Sequence, residues 1–281
     1  MLVKAYDALV KELSSIDDVA RLASPTVSYN TLTSIFSQAY SEFVRRTAHE
    51  HKNRAGEYFA RYEGGEDIVS IAEDVNIAPV LLARKILLLH LQQEAARAQA
   101  ARDGGADAPL VNSTRRHVSA CIKVPSLIRD ELLRNEIVEC NRADEFYAPA
   151  ADRIKQSIGM EYEFILMEKL RLLGVPFVPE EELRALGYPK TPDVKLVVPI
   201  AVDGRVVHWI DSKASFGDRT NLVNAKDQFQ SYVNHFGSGM VIYWFDYLED
   251  ADVLRTFDAG ILLASDFPAD PVVLRSAHDR V

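Results

Sequence analysis

A chain of 281 residues, 48% hydrophobic and with a formal net charge of −9, is long enough for two modest domains with real cores. The negative balance argues against a sequence-independent nucleic-acid coat, which depends on cations meeting phosphate, and leaves room for an enzyme whose clustered carboxylates make a domain acidic until a metal is bound. No run of 18 apolar residues exists for a membrane span, and the start MLVKAYDALVKELSS is too charged for a signal peptide. Cys121 and Cys140 have no C-x-x-C spacing, which argues for a reducing compartment and against structural zinc.

Helical periodicity runs through residues 2–13 and 29–62, interrupted by the breaker Ala23-Ser24-Pro25-Thr26. The second stretch carries an apolar stripe of Ile35, Phe36, Tyr40 and Phe43, then turns basic at Arg45, Arg46, Lys52 and Arg54. Such a face is either solvated or a track for phosphates. Residues 66–91, EDIVSIAEDVNIAPVLLARKILLLHL, have the helix-turn-helix pattern: a short apolar helix, a turn at Asn76-Ile77-Ala78, and Pro79 opening a second helix that exposes Arg84 and Lys85. These six basic residues are the candidate nucleic-acid contacts, with helix packing or protein docking as the alternative role of the unit. Residues 97–112, centred on Gly-Gly-Ala-Asp-Ala-Pro, are the expected linker between a helical domain over 1–110 and a second domain over 113–281.

The second domain is expected to begin with a helix over 126–142 and continue with a long helix over 152–173, a short strand over 175–178, and an irregular acidic segment over 180–190. Two alternating runs follow, Val194–Val202 and Arg205–Ile210, joined by Asp203-Gly204, a pair suited to a type I′ turn with positive φ at both positions. Side chains two apart share a strand face, so Asp211 and Lys213 point one way and Ser212 the other. The hairpin returns Asp193 to the same rim. Two carboxylates and an ammonium at one sheet edge suit hydrolysis of phosphodiesters with Mg²⁺, which takes hard oxygen ligands and activates bound water. A bare Asp-x-Lys is also common on ordinary surface hairpins, so its surroundings decide. They comprise a helix with Gly159-x-x-x-Glu163 before the hairpin, a helix over 222–235 with Gln228 and Tyr232 on one face after it, and apolar runs at 240–245 and 260–264.

This α/β order resembles the restriction-endonuclease-like core, αβββαβ, a mixed central sheet flanked by helices and here preceded by an all-α domain. GYPKTPD, HWIDSKASFGD, DQFQSY, GMVIYWF and GILL, with SIFSQ and AP-x-LLAR-x-IL upstream, are similar to the codanin-interacting nuclease family of animals and archaea, whose motif is Thr-Pro-Asp. The first thirty residues and the linker lie outside this resemblance. It implies a helical region with a helix-turn-helix followed by a PD-(D/E)xK nuclease domain and, as in the animal proteins, a codanin-like protein partner and a place in nucleus and cytoplasm. The expected activity is that of a nuclease dependent on Mg²⁺ or a substituting Mn²⁺, with DNA favoured over RNA. Asp193, Asp211 and the Ser212 carbonyl are expected to hold the metal, and Lys213 to be the catalytic lysine. Glu163 is the preferred helix-borne ligand by its Gly-x-x-x-Glu spacing. Glu161 competes, the two pointing about 200° apart on a helix. Gln228 and Tyr232 are expected to orient lysine or phosphate, and Lys190 and Thr191 to touch phosphate or shape the turn. A non-catalytic adaptor of nuclease fold, binding a protein or nucleic acid, is the alternative function.

Overall fold

The structure, a computed structural model, describes residues 1–100, 111–257 and 259–274, so most of the expected linker 97–112 lies outside the described residues. Among the described residues nine α-helices precede the first strand: α1 (Val3–Glu12), α2 (Ile16–Leu22), α3 (Tyr29–Asn53), α4 (Ala55–Glu63), α5 (Ile68–Asp74), α6 (Pro79–Ala100), α7 (Val111–Lys123), α8 (Glu131–Ala143) and α9 (Pro149–Leu172). Then come β1 (Phe177–Pro179), α10 (Glu180–Ala185), β2 (Val194–Val202), β3 (Arg205–Lys213), α11 (Arg219–Phe236), β4 (Gly239–Tyr243), α12 (Ala251–Leu254), β5 (Ile261–Ala264) and β6 (Val272–Val273). No helix among the described residues is long and apolar enough to cross a membrane.

The chain divides into two compact units. One is 41–156; the other joins residues 1–40 to the described residues from Ser157 onward. This partition differs from a boundary near residue 110, for a packing reason. Leu13, Val19, Leu32 and Ile35 share a core with Phe216, Phe245 and Leu248, and Tyr6 stacks on Phe216 at 5.6 Å. Ser34 Oγ accepts the Phe216 N–H at 2.8 Å, and Gln38 donates to the Phe216 carbonyl at 2.8 Å. The first two helices and the start of α3 therefore belong with the sheet.

In the 41–156 unit, α6 is apolar around most of its circumference because α4, α5, α7 and α8 all pack on it. The core holds Tyr58, Ile68, Ile71, Leu82, Ile86, Leu87 and Ile137. Asp67 caps α5 through the Ser70 N–H at 2.8 Å, Asn76 turns the chain with φ 54°, and buried Asp144 accepts the Val80 N–H at 3.0 Å at the start of α6.

The other unit is built on a mixed sheet in the order β1-β2-β3-β4-β5, with β6 also pairing β2. Pairs β1-β2, β2-β3 and β2-β6 are antiparallel; β3-β4 and β4-β5 are parallel. Alternation along the strands sorts the two faces. Ile200, Ile210, Met240 and Ile242 pack with Leu166 and Leu170 of α9, while Trp209, Val241 and Tyr243 pack with Leu222, Phe229 and Tyr232 of α11. Asp203 and Gly204 have φ 50° and 75°, the two positive values of the expected turn.

The elements depart from expectation in several places: the helical stretch 29–62 breaks at Arg54, the helix expected over 126–142 begins at Glu131, α2, α7 and α12 are additional, and three further differences bear on the sheet. Strand β3 runs through Lys213 because β4 pairs with it as far as Tyr243. Residues 180–185 form α10 instead of an irregular segment: Pro179 stands at the N-cap, and Glu180, Glu181 and Glu182 favour the positive end of a helix. A two-residue strand, β6, completes the outer side of β2.

Among the described glycines Gly239 leaves the least room for a Cβ, which would run into the Trp209 ring. Gly239→Ala should lower stability by about 1–3 kcal/mol, the range for overpacking, measured by urea unfolding; an unchanged midpoint would refute this packing account.

Candidate active site

The site begins with β2–β3 register. Val194 lies opposite Ile210, and one residue further out the same register sets Asp193 opposite Asp211. The Ser212 N–H donates to Asp193 Oδ2 at 2.7 Å, so β3's own backbone holds the first aspartate. Lys213 Nζ lies 2.6 Å from Asp211 Oδ1, and 5.7 Å from the centre of the Phe229 ring on α11. Ser212 faces the other way and accepts a hydrogen bond from Trp244 Nε1 at 2.8 Å.

Electrostatics follow from this crowding. Burial, then the facing Asp211 carboxylate, push the Asp193 carboxyl up to about 8, against the opposing effects of Lys213 and the Ser212 N–H. Burial alone would lower the Lys213 ammonium; the Asp211 carboxylate outweighs it and holds Lys213 above the ordinary lysine value. Glu163 on α9 is half-buried and its carboxyl is raised by burial, then by Glu180 and Asp211. Glu161 is exposed and forms no ion pair among the described residues. Glu163 is within electrostatic reach of Asp211 and Lys213.

The Thr-Pro-Asp turn is held from both sides. Gln228 Nε2 donates to Tyr232 Oη at 2.8 Å, and the Tyr232 hydroxyl donates to the Thr191 carbonyl at 3.2 Å. Burial raises the Tyr232 phenol to about 12, so it stays a donor. On the other side Thr191 Oγ1 donates to Glu180 Oε1 at 2.9 Å, and the Glu180 N–H donates to the Asp193 carbonyl at 3.0 Å. Glu180 is the member of this group that sequence patterning misses. The signal for it is the Pro-Glu-Glu-Glu run, a helix start beside the end of β1. Lys190 is exposed and makes no ion pair among the described residues.

The donor set fits a hard divalent cation in chemistry: two aspartates, a nearby peptide carbonyl, and a buried Asp211 whose Oδ1 is matched by the Lys213 ammonium at 2.6 Å. The fit is incomplete in geometry. Among the described residues no three His, Cys, Asp or Glu side chains are grouped closely enough to hold a metal ion.

The basic candidates all lie in the 41–156 unit. Arg45 is paired with Glu42, and Arg54 with Glu57 at 2.8 Å. Arg46 and Lys52 are exposed. Arg84 and Lys85 are half-buried: Arg84 donates to Ser119 Oγ at 3.2 Å, and the Lys85 ammonium is lowered by burial, then by Lys52.

A mixed α/β unit presenting two facing aspartates and a lysine at a strand end defines the class. A family model described as a protein of unknown function with a TPD sequence motif matches residues 129–267. CDAN1-interacting nuclease 1 of Xenopus laevis is 42% identical over 262 residues, spanning 90% of this chain and 81% of that protein. The Homo sapiens protein of the same name is 40% identical over 260 residues, 89% and 87% of the two chains, and that of Danio rerio 38% over 251 residues, 86% and 78%. The chain belongs to this CDAN1-interacting nuclease family. No solved structure matches.

A carboxyl raised on folding from 3.8 to about 8 favours the folded state most when protonated, so its contribution is complete below pH 3.8 and is lost as pH rises through about 8. In chelator, the unfolding temperature of Asp193→Asn should therefore gain on the parent as pH is raised from 5 to 8. Parallel curves would rule out the raised Asp193 carboxyl.

Proposed function

We propose that this chain is a metal-dependent nuclease hydrolysing phosphodiester bonds, with DNA favoured, through a PD-(D/E)xK site on a restriction-endonuclease-like core. The order α9, β1, β2, β3, α11, β4, with α10 inserted, supports that core, and the relatives' name supports nuclease activity. The observation that carries the mechanism is the meeting of Asp193, Asp211 and Lys213 at one rim, with Asp211 buried and its Oδ1 paired with the Lys213 ammonium.

Asp193, Asp211, the Ser212 carbonyl and Glu163 would hold Mg²⁺, with Mn²⁺ as a substitute. When bound, the ion supplies a Lewis acid and lowers the pKa of coordinated water. The chain's own groups do the rest. Lys213, positively charged and seated between Asp211 and the Phe229 ring, offsets negative charge that grows on the phosphate as the P–O bond breaks. The Gln228–Tyr232–Thr191 chain and Glu180 keep the turn before Asp193 in place, so the carboxylate does not have to be ordered during reaction. Exposed Arg46 and Lys52 serve as phosphate contacts, and the helical unit as a targeting device toward nucleic acid or a codanin-type partner, in nucleus and cytoplasm.

A second reading is a non-catalytic adaptor of the same fold. The lack of a grouped set of three ligands among the described residues favours it. The two separate in one assay: cleavage of labelled single-stranded, duplex and junction DNA, and RNA, with Mg²⁺ or Mn²⁺. Asp211→Ala and Lys213→Ala should each lower cleavage by about 10²–10³-fold. Equal background from the parent and both variants supports the adaptor.

The helix-borne acid is tested separately. Glu163→Gln should weaken Mg²⁺ binding by titration calorimetry and reduce cleavage at least tenfold, with Glu161→Gln close to the parent. The reverse order would reassign the ligand to Glu161.

A further inference from the structure

The 41–156 unit contains a cavity of about 490 Å³ walled by α3, the turn after α5, α6 and α7. That size is within the range of ligand and anchor pockets. Its wall is largely apolar, through Val44, Ile77, Leu81, Leu88 and Val118. Three cations stand in the same wall: Arg84, Lys85 and Arg115. Among the described residues no Asp or Glu lines it.

A half-buried cation is normally answered by an anion, since desolvation penalises the charge. Lys85 makes no ion pair among the described residues, and its charged neighbour is Lys52, another cation. Burial followed by that repulsion lowers the Lys85 ammonium. The nearby His51 ring is already bonded to the Tyr58 hydroxyl at 3.0 Å and adds no negative charge. An anion entering the cavity would relieve this imbalance, and the apolar wall asks for an apolar body attached to it.

Those two requirements separate the classes of occupant. A nucleic-acid backbone brings phosphate but nothing aliphatic to fill the space between Ile77, Leu81 and Leu88. An amphipathic helix brings aliphatic side chains at i, i+3, i+4 and i+7 with flanking carboxylates, which is the helix-in-groove mode of recognition. We propose that the cavity is a docking site for an acidic amphipathic segment of a protein partner, with an aliphatic anchor between Ile77, Leu81 and Leu88 and a carboxylate facing Lys85. This goes beyond the nuclease reading and does not depend on cleavage, because every residue involved lies in the helical unit.

The test uses the full chain and a fluorescein-labelled peptide of about 18 residues, with leucine on one helical face and glutamate on its flanks. Anisotropy should show saturable binding. Lys85→Glu should weaken it at least tenfold, as should Ala48→Phe, which fills the cavity from α3 without changing charge. Lys85→Gln should fall between. Unfolding temperatures of the three variants check that the unit remains folded. A scrambled peptide of the same composition should bind at least tenfold more weakly. The proposal is overturned if the scrambled peptide binds equally well, if the peptide does not bind, or if Ala48→Phe leaves binding intact. It is also overturned if labelled duplex DNA depends on Lys85 and is not displaced by the peptide, which makes nucleic acid the occupant.

Discussion

Two carboxylates face each other at the end of the β2–β3 pair because antiparallel register sets Asp193 opposite Asp211, and the rest of the site answers that repulsion. The Ser212 N–H binds one carboxylate and the Lys213 ammonium approaches the other. Burial first and then the facing Asp211 carboxylate push the Asp193 carboxyl upward, and neither partner offsets both effects. A rim arranged in this way is poised for an additional cation.

The surrounding fold keeps that rim from relaxing. Strand β3 is fixed on one side by the antiparallel hairpin and on the other by the parallel strand β4, so Asp211 sits at the end of a strand paired along both edges. The peptide of Phe216, three residues beyond Lys213, is gripped by Ser34 and Gln38 of α3. The Ser-Ile-Phe-Ser-Gln run thus ties an N-terminal helix to the loop that leaves the active-site strand.

The helical unit has a different electrostatic character. Arg45 and Arg54 are neutralised by glutamates on their own helices or the next turn of chain, which removes part of the positive track suggested by their spacing. Arg84 and Lys85 face the wall of an apolar cavity, where they are half-buried. A helix-turn-helix pattern specifies two helices and a turn; what its second helix offers to a partner depends on which side α3 and α7 cover.

Much of the site was legible in sequence because it rests on local rules. Asp203-Gly204 determines the turn, period two assigns Asp211 and Lys213 to one face, and hairpin closure returns Asp193 to them. The helices were equally plain where apolar spacing was strong, as in residues 152–173. What only tertiary structure decided was non-local. That Glu163 is half-buried and feels Asp211 while Glu161 is exposed depends on the rotation of α9 against the sheet, and the place of Glu180 depends on β1 pairing with β2 beside Thr191. The attachment of residues 1–40 to the sheet depends on Phe216, nearly two hundred residues away in sequence, and no periodicity within either segment specifies that contact. Sequence alone determined the chemistry offered at the rim; the packing of distant helices decided which side chains reach it and how their charges are balanced.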